Sequence, residues 1–185
     1  MSISSQVSVY YSELNSLIVR HGLQSFARTG AVKGAELTAK MTWGGLFARL
    51  GINDYRAEDF EMDNRVPASP RYLAQLRVST TLTEGLDAGV SLRLMDKMYN
   101  SFSHCDEQRG CEYINPEKPY SDKAMLIDLS FTAPLTFGLP MTTQFGVKNV
   151  FGTHHTHPVS SNNAWLKQGF PAEARRVFMS FKYQL

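Results

Sequence analysis

Apolar and polar side chains alternate along most of the chain, and this period of two is the feature that most constrains the fold. In residues 35–43 every second side chain is apolar, and Glu36, Thr38, Lys40 and Thr42 lie between them. Because successive side chains of a strand point to opposite faces, this segment is predicted to be a strand with one apolar and one polar face. The same alternation occurs in residues 6–19, 46–53, 72–82, 87–94, 124–133, 141–152 and 175–185. The chain is therefore predicted to form about eight strands of about 10–14 residues.

The connections between these strands alternate in length. Tight turns are predicted at residues 44–45, 83–86 and 135–140. Long polar loops are predicted between them, at about residues 20–31, 55–70, 100–122 and 154–173. A soluble sandwich does not sort its loops in this way, whereas a bacterial outer-membrane barrel does. The prediction is an all-β fold: an antiparallel transmembrane β-barrel segment with short periplasmic turns and long extracellular loops.

Composition excludes several other classes of protein. The 185 residues are 43% hydrophobic and 19% charged, which is typical of a folded domain. Acids and bases are mixed along the chain and the net charge is +2, so no nucleic-acid partner is predicted. The first residues contain no basic segment followed by an apolar one, so no secretory signal is predicted there. No linker divides residues 1–185, which we interpret as one domain.

The charged residues of the predicted strands fall on the polar face. They are Glu36, Lys40, Arg49, Arg77, Arg93, Asp128 and Lys182. On the lipid face near the middle of a membrane, a Lys or Arg would cost about 2–4 kcal/mol. Trp43 and Tyr183 lie on the apolar face near the short turns, and Tyr72 lies at the opposite end, as in the aromatic girdles of a barrel. A soluble sheet with one exposed face shows the same alternation, so the sorting of the loops favours the membrane interpretation.

Two cysteines, Cys105 and Cys111, lie close together in a polar segment. Their spacing predicts a small disulfide-closed loop in an oxidising compartment. Two free thiols are the alternative. A metal site is not predicted, because no second Cys/His pair has a matching spacing.

Three histidines, His154, His155 and His157, follow one of the predicted strands. Imidazole is a common ligand of metals and haem, and this spacing would bring two rings together in an irregular loop. We favour ordinary polar loop residues, since one segment supplies all three rings and no carboxylate completes a shell. The histidines are kept as weak candidates for contact with a ligand, and no metal or cofactor is predicted.

The residues give no indication of catalysis. No Ser/His/Asp or Cys/His group is spaced for nucleophilic attack, and no glycine loop for phosphate is present. Glu36 and Asp128 lie on separate strands and are interpreted as charges of the barrel interior. The chain is therefore predicted not to be an enzyme.

Several segments resemble TonB-dependent outer-membrane receptors. "FGVKNVFG" at residues 145–152 is similar to a strand near the C-terminus of these receptors, and "GFPAEARRVFMSFKYQL" at residues 169–185 is similar to their ending. "VSVYYSELNSLI" and "VKGAELTAKMTW" resemble earlier strands. The family ends in an aromatic residue, whereas this chain ends in Leu185. The resemblance implies that residues 1–185 are the C-terminal portion of a 22-stranded plugged barrel, a fragment that lacks the plug domain and the signal peptide.

The resemblance also implies a function in transport. Members of the family take up a scarce ligand, most often a ferric siderophore or haem, and TonB would act only through the missing plug. The expected location is the bacterial outer membrane, with lipid as the partner of the apolar face. The alternative is a self-contained small barrel of eight strands with a structural or adhesion role.

Overall fold

The chain folds into strands joined by turns and irregular segments. The structure, a computed structural model, describes residues 1–21, 24–59, 64–106, 110–134, 140–160, 166 and 169–183. The strands within these residues are β1 (Ser2–His21), β2 (Gln24–Trp43), β3 (Leu46–Asp59), β4 (Asn64–Arg65), β5 (Tyr72–Thr83), β6 (Leu86–Met95), β7 (Phe102–Asp106), β8 (Gly110–Tyr113), β9 (Ala124–Ala133), β10 (Met141–Lys148), β11 (Thr156–His157), β12 (Phe170–Pro171) and β13 (Arg176–Tyr183). None of the described residues belongs to a helix long and apolar enough to cross a membrane.

Eight of these strands form one antiparallel sheet in the order β1-β2-β3-β5-β6-β9-β10-β13, and β4 adds a short pairing to β3. Every neighbour on this path is the next long strand along the chain, so the sheet is a meander. Strands β7 and β8 form a separate hairpin, and β11 pairs with β12. The prediction of an all-β fold with about eight antiparallel strands is confirmed.

Strand register brings the apolar positions of all eight strands onto one face. Leu50 of β3 lies opposite Ala39 and Leu76, and Leu92 of β6 lies opposite Leu76 and Ile127. We call this face the apolar belt. Its side chains include Ile3, Val7, Val9, Leu37, Ala39, Leu50, Leu76, Val90, Leu92, Met125, Ile127, Phe145, Val177, Met179 and Phe181. Many of them are exposed: Val9 is 80% exposed and Val177 is 76% exposed.

Four of the buried apolar side chains among the described residues lie in the connections between the strands of the sheet. Met98, Phe102, Ile114 and Val159 are each at most 7% exposed. They come from the segment between β6 and β9 and from the segment between β10 and β13, which are distant in sequence. Packing between these two segments therefore orders the connections at one end of the sheet.

The short turns are confirmed at residues 44–45 and 84–85, where Gly44 and Gly85 have φ of +54° and +87°. Glycine adopts such angles without the steric cost of a Cβ atom. Most of the third predicted turn, residues 135–139, lies outside the described residues. Strands β2–β3 and β5–β6 thus form tight hairpins at the end of the sheet opposite the buried cluster.

The predicted loop at residues 20–31 is wrong. Strand β1 continues to His21 and β2 begins at Gln24, with a register shift between Leu14 and Leu17. Alternation reveals a strand only where its two faces meet different surroundings, and here the backbone pairing continues beyond the apolar belt. The other three predicted loops also contain strands: the end of β3 with β4, the β7–β8 hairpin, and the β11–β12 pair.

The two end strands, β1 and β13, have no described partner on their outer edges. An unpaired edge of a long strand is a template for association with other chains. We therefore expect the isolated chain to aggregate in water and to become monodisperse only in detergent, as measured by light scattering after gel filtration. A stable water-soluble monomer would contradict this expectation. A monomer in detergent that migrates differently on a gel with and without heating would indicate a closed small barrel instead.

Candidate functional site

The polar face of the sheet is concave. Side chains from several strands line a cavity of about 450 Å³ on this face, among them Gln75, Arg77, Arg93, Asp128, Gln144 and Lys148. A flat sheet would not surround such a space, so the strands curve toward their polar side. The prediction that charges collect on this side is confirmed for Glu36, Lys40, Arg49, Arg77, Arg93, Asp128 and Lys182, which occupy register positions that alternate with the apolar belt.

The two predicted acids of this face are both held by neighbours. Glu36 accepts a hydrogen bond from Asn53 Nδ2 at 3.2 Å. Asp128 forms an ion pair with Arg93 Nη2 at 3.1 Å and accepts a hydrogen bond from the Asn149 backbone N–H at 2.9 Å. The two carboxylates thus have separate partners.

Asn149 organises the turn that follows β10. It is 3% exposed and has a φ of +50°, a conformation that Asn tolerates better than most residues. Its side-chain Oδ1 accepts from the Thr153 N–H at 2.9 Å, and its Nδ2 donates to the carbonyl oxygens of Thr153 at 2.9 Å and Glu173 at 3.3 Å. One side chain therefore joins the end of β10, the segment after it and the approach to β13.

Close packing explains the glycine at position 146 of the motif "FGVKNVFG". Gly146 lies opposite Phe178 in the β10–β13 pairing. A Cβ atom at this position would stand 2.9 Å from the Phe178 ring and closer still to the Leu129 carbonyl oxygen. The motif "FGVKNVFG" thus combines a position that excludes a side chain with a buried Asn that closes the turn.

A second buried amide, Asn100, was not predicted from the sequence. It is 4% exposed, and its Nδ2 donates to the Ile114 carbonyl oxygen at 3.0 Å. Its Oδ1 accepts from the Val159 N–H at 3.0 Å. These bonds join the two long connections beside the buried apolar cluster. An Asn between two strands is usually a solvated loop residue, so the sequence carries no signal for this role.

The cysteine segment forms a hairpin at the same end. In the β7–β8 pairing Cys105 lies directly opposite Cys111, and Cys111 is disulfide-bonded. Residues that face each other in an antiparallel pair have Cα atoms about 4.5–5.5 Å apart, within the range that a disulfide bridges. We therefore keep Cys105–Cys111 as the proposed disulfide, which would close the tip of this hairpin.

The three histidines lie after the Asn149 turn. The ring centroids of His155 and His157 are 5.8 Å apart at an interplanar angle of 72°, and the side chains of His154 and His157 are both exposed. In the part of the chain that the structure describes, no three His, Cys, Asp or Glu side chains come together to hold a metal ion. The structure thus brings two of the three rings together, at the end of the sheet that also carries the cysteine hairpin.

Replacing Asn149 tests how far the turn after β10 depends on the Asn149 side chain. Asn149→Ala should lower the free energy of unfolding by about 2–4 kcal/mol, because it leaves backbone groups unpaired and puts a Cβ residue at positive φ. Asn149→Gly should lower the free energy of unfolding by less, because glycine adopts this φ without strain and only the side-chain hydrogen bonds are lost. Urea unfolding in detergent measures both. Equal stability of the wild type and the Ala variant would contradict the role of the turn.

Comparisons with known proteins give matches to solved structures alone. No family model matches the sequence. No curated protein matches it either.

The solved structures that match are outer-membrane receptors and transporters. The chain superposes on the ferric-catecholate import receptor Fiu of E. coli with a TM-score of 0.70 and 15% identity, over 97% of this chain and 24% of the receptor. For the FrpB iron transporter of Neisseria meningitidis the TM-score is 0.69 and the identity 16%, over 98% and 28% of the two chains. For the copper transporter OprC the TM-score is 0.74 and the identity 15%, over 97% of this chain and 28% of the transporter.

The chain spans about a quarter of the length of each of these structures. At this level of identity the likeness concerns the fold. It agrees with the resemblance found in the strands and in the C-terminal motifs of the sequence. The chain therefore has the fold of a segment of a TonB-dependent outer-membrane receptor.

Proposed function

We propose that the chain is part of the wall of an outer-membrane transport protein: the C-terminal portion of a TonB-dependent receptor barrel. The observation that carries this proposal is the apolar belt, which runs across all eight strands and has many exposed side chains. A monomeric soluble protein rarely exposes a continuous apolar surface of this extent. Lipid is therefore the proposed partner of this face, and the bacterial outer membrane is the proposed location.

Aromatic residues at the two ends of the apolar belt support the membrane proposal. Trp43 is 64% exposed and Tyr183 is 58% exposed at the end with the tight turns, while Tyr72 is exposed at the other end. Tyr11 of β1 also projects from the apolar face near that second end, a girdle position that the sequence analysis did not single out. In membrane barrels such aromatic residues lie at the two interfaces. The tight turns would then face the periplasm and the long connections the exterior.

The proposed activity is uptake of a scarce ligand, most often a ferric siderophore or haem. The names of the matching structures include a ferric-catecholate receptor, an iron transporter and a copper transporter, and none of them is an enzyme. Transport is therefore favoured over catalysis. In this proposal TonB acts through a plug region outside residues 1–185, and His154, His155 and His157 face the exterior as weak candidates for contact with the ligand.

A charge placed in the apolar belt tests the membrane proposal. Leu76 lies in the middle of the belt on β5, between Leu50 and Leu92. Leu76→Arg should lower the unfolding free energy of the chain in lipid vesicles by about 2–4 kcal/mol, because the charge would face the hydrocarbon. Urea unfolding after insertion into phosphatidylcholine vesicles measures this difference.

The matched control is Gln144→Arg, which adds the same side chain to the cavity on the polar face. This variant should be affected far less than Leu76→Arg, since its charge would stay hydrated. If both variants insert and unfold like the wild type, or if Gln144→Arg is the more damaging one, the assignment of the belt to lipid is wrong.

A further inference from the structure

Two histidines, His155 and His157, lie two residues apart at the strand β11. His157 belongs to this strand and His155 directly precedes it. Side chains two residues apart in an extended segment share a face, and the ring centroids of the two histidines are 5.8 Å apart. We call these two rings the histidine pair. His154 is not part of it.

Backbone contacts hold both members of the histidine pair in place. His157 lies opposite Phe170, and the Ala172 N–H donates to the His155 carbonyl oxygen at 3.0 Å. Gly169, which precedes β12, has a φ of +87°, and a Cβ atom there would stand 2.7 Å from the His157 carbonyl oxygen. The spacing of the two rings is therefore set by two chain segments that pack closely together.

One nitrogen of the histidine pair lacks a partner. His155 Nδ1 is out of contact with the solvent and forms no hydrogen bond with any of the described residues. A buried polar atom without a partner costs free energy, and an ion bound to this nitrogen would remove that cost. The His155 side chain is half-buried and His157 is exposed, so the pair is accessible from one side.

The separation of the two rings matches that of two ligands of one metal ion. A zinc ion lies about 2.0–2.1 Å from each imidazole nitrogen, which places the centroids of two ligating rings about 5–6 Å apart. The observed 5.8 Å falls within this range. An edge-to-face contact of two rings without an ion has a similar separation, but it leaves His155 Nδ1 without a partner.

We propose that His155 and His157 together bind one first-row transition metal ion such as Zn²⁺. Among the described residues no group of three His, Cys, Asp or Glu side chains could hold a metal ion, so water or donor atoms of a further molecule would complete the shell. Imidazole suits Zn²⁺, Cu²⁺ and Ni²⁺, whereas Mg²⁺ and Ca²⁺ prefer oxygen ligands. No metal was predicted from the sequence, because spacing alone does not fix where the rings lie.

Calorimetric titration of Zn²⁺ into the 185-residue chain in detergent, prepared without a histidine tag, tests the proposal. One ion should bind per chain, and Mg²⁺ should not compete with it. His155→Gln and His157→Gln should each weaken binding by about tenfold or more, since even the loss of a group behind a metal ligand costs about 10–100-fold. The matched control is His154→Gln, which removes an exposed imidazole of the same segment and should leave the affinity unchanged.

Two further measurements test whether the fold builds the site. Gly169→Ala should weaken Zn²⁺ binding without removing a ring, because its Cβ atom would displace the His157 backbone. A synthetic peptide of residues 152–160 contains all three histidines of the segment but not β12, and it should bind Zn²⁺ more weakly than the chain.

The urea midpoint gives a readout that remains valid when a variant is less stable. Zn²⁺ should raise the midpoint of the wild type and of His154→Gln, because an ion that binds only the folded chain stabilises it. It should leave the midpoint of His157→Gln unchanged.

Three results would overturn the proposal. The first is the absence of Zn²⁺ binding to the wild-type chain, which would leave the histidine pair as a ring contact alone. The second is an equal loss of affinity in His154→Gln and His157→Gln. The third is equal affinity of the chain and the peptide of residues 152–160. Zn²⁺ binding in detergent does not depend on lipid or on transport, so this site and the proposed function can fail separately.

Discussion

The antiparallel hydrogen-bond ladder is the interaction on which the rest of the structure depends. It pairs the backbone groups of each strand with those of its neighbours, and its register decides which side chains share a face. Because the pairing from β1 to β13 keeps this register, Leu50, Leu76 and Leu92 stand in line while Arg49 and Arg77 point the other way. A slip of one residue in any pair would put charges into the apolar belt and apolar side chains into the concave face.

The two faces of the sheet consequently require opposite surroundings, apolar for one and polar for the other. Many side chains of the apolar belt are exposed and gain stability from an apolar surrounding, so the stability of the sheet depends on where the chain is placed. The concave face carries the charges of the strands, such as Lys40 and Arg49, and therefore needs water or polar groups around it. Among the described residues, the connections hold a well-packed cluster in which Asn100 and Val159 are buried.

The features that could be predicted from the sequence are those that follow from local pattern, above all from the alternation of apolar and polar residues. The sequence predicted the strands, the two faces and the turns at Gly44 and Gly85, because each follows from local pattern or from backbone geometry. It did not predict that β1 and β2 extend beyond the belt, since a strand with similar surroundings on both faces has no reason to alternate. Nor did it predict the role of Asn100, whose partners lie 14 and 59 residues away in sequence and are set by tertiary packing. For the rings of His155 and His157, the sequence indicates proximity only as one possible arrangement of an irregular loop.

Trp43 reports directly on whether the apolar belt contacts lipid, since its side chain is 64% exposed at one end of the belt. The chain has two tryptophans, so a Trp165→Phe variant leaves Trp43 as the single emitter. In vesicles of lipids brominated along the acyl chain, we expect Trp43 emission to be quenched, most strongly by bromines close to the headgroups because Trp43 adjoins a turn. Iodide added to the water should quench it weakly. Strong quenching by iodide together with no effect of the brominated lipids would show that the belt faces water and not lipid.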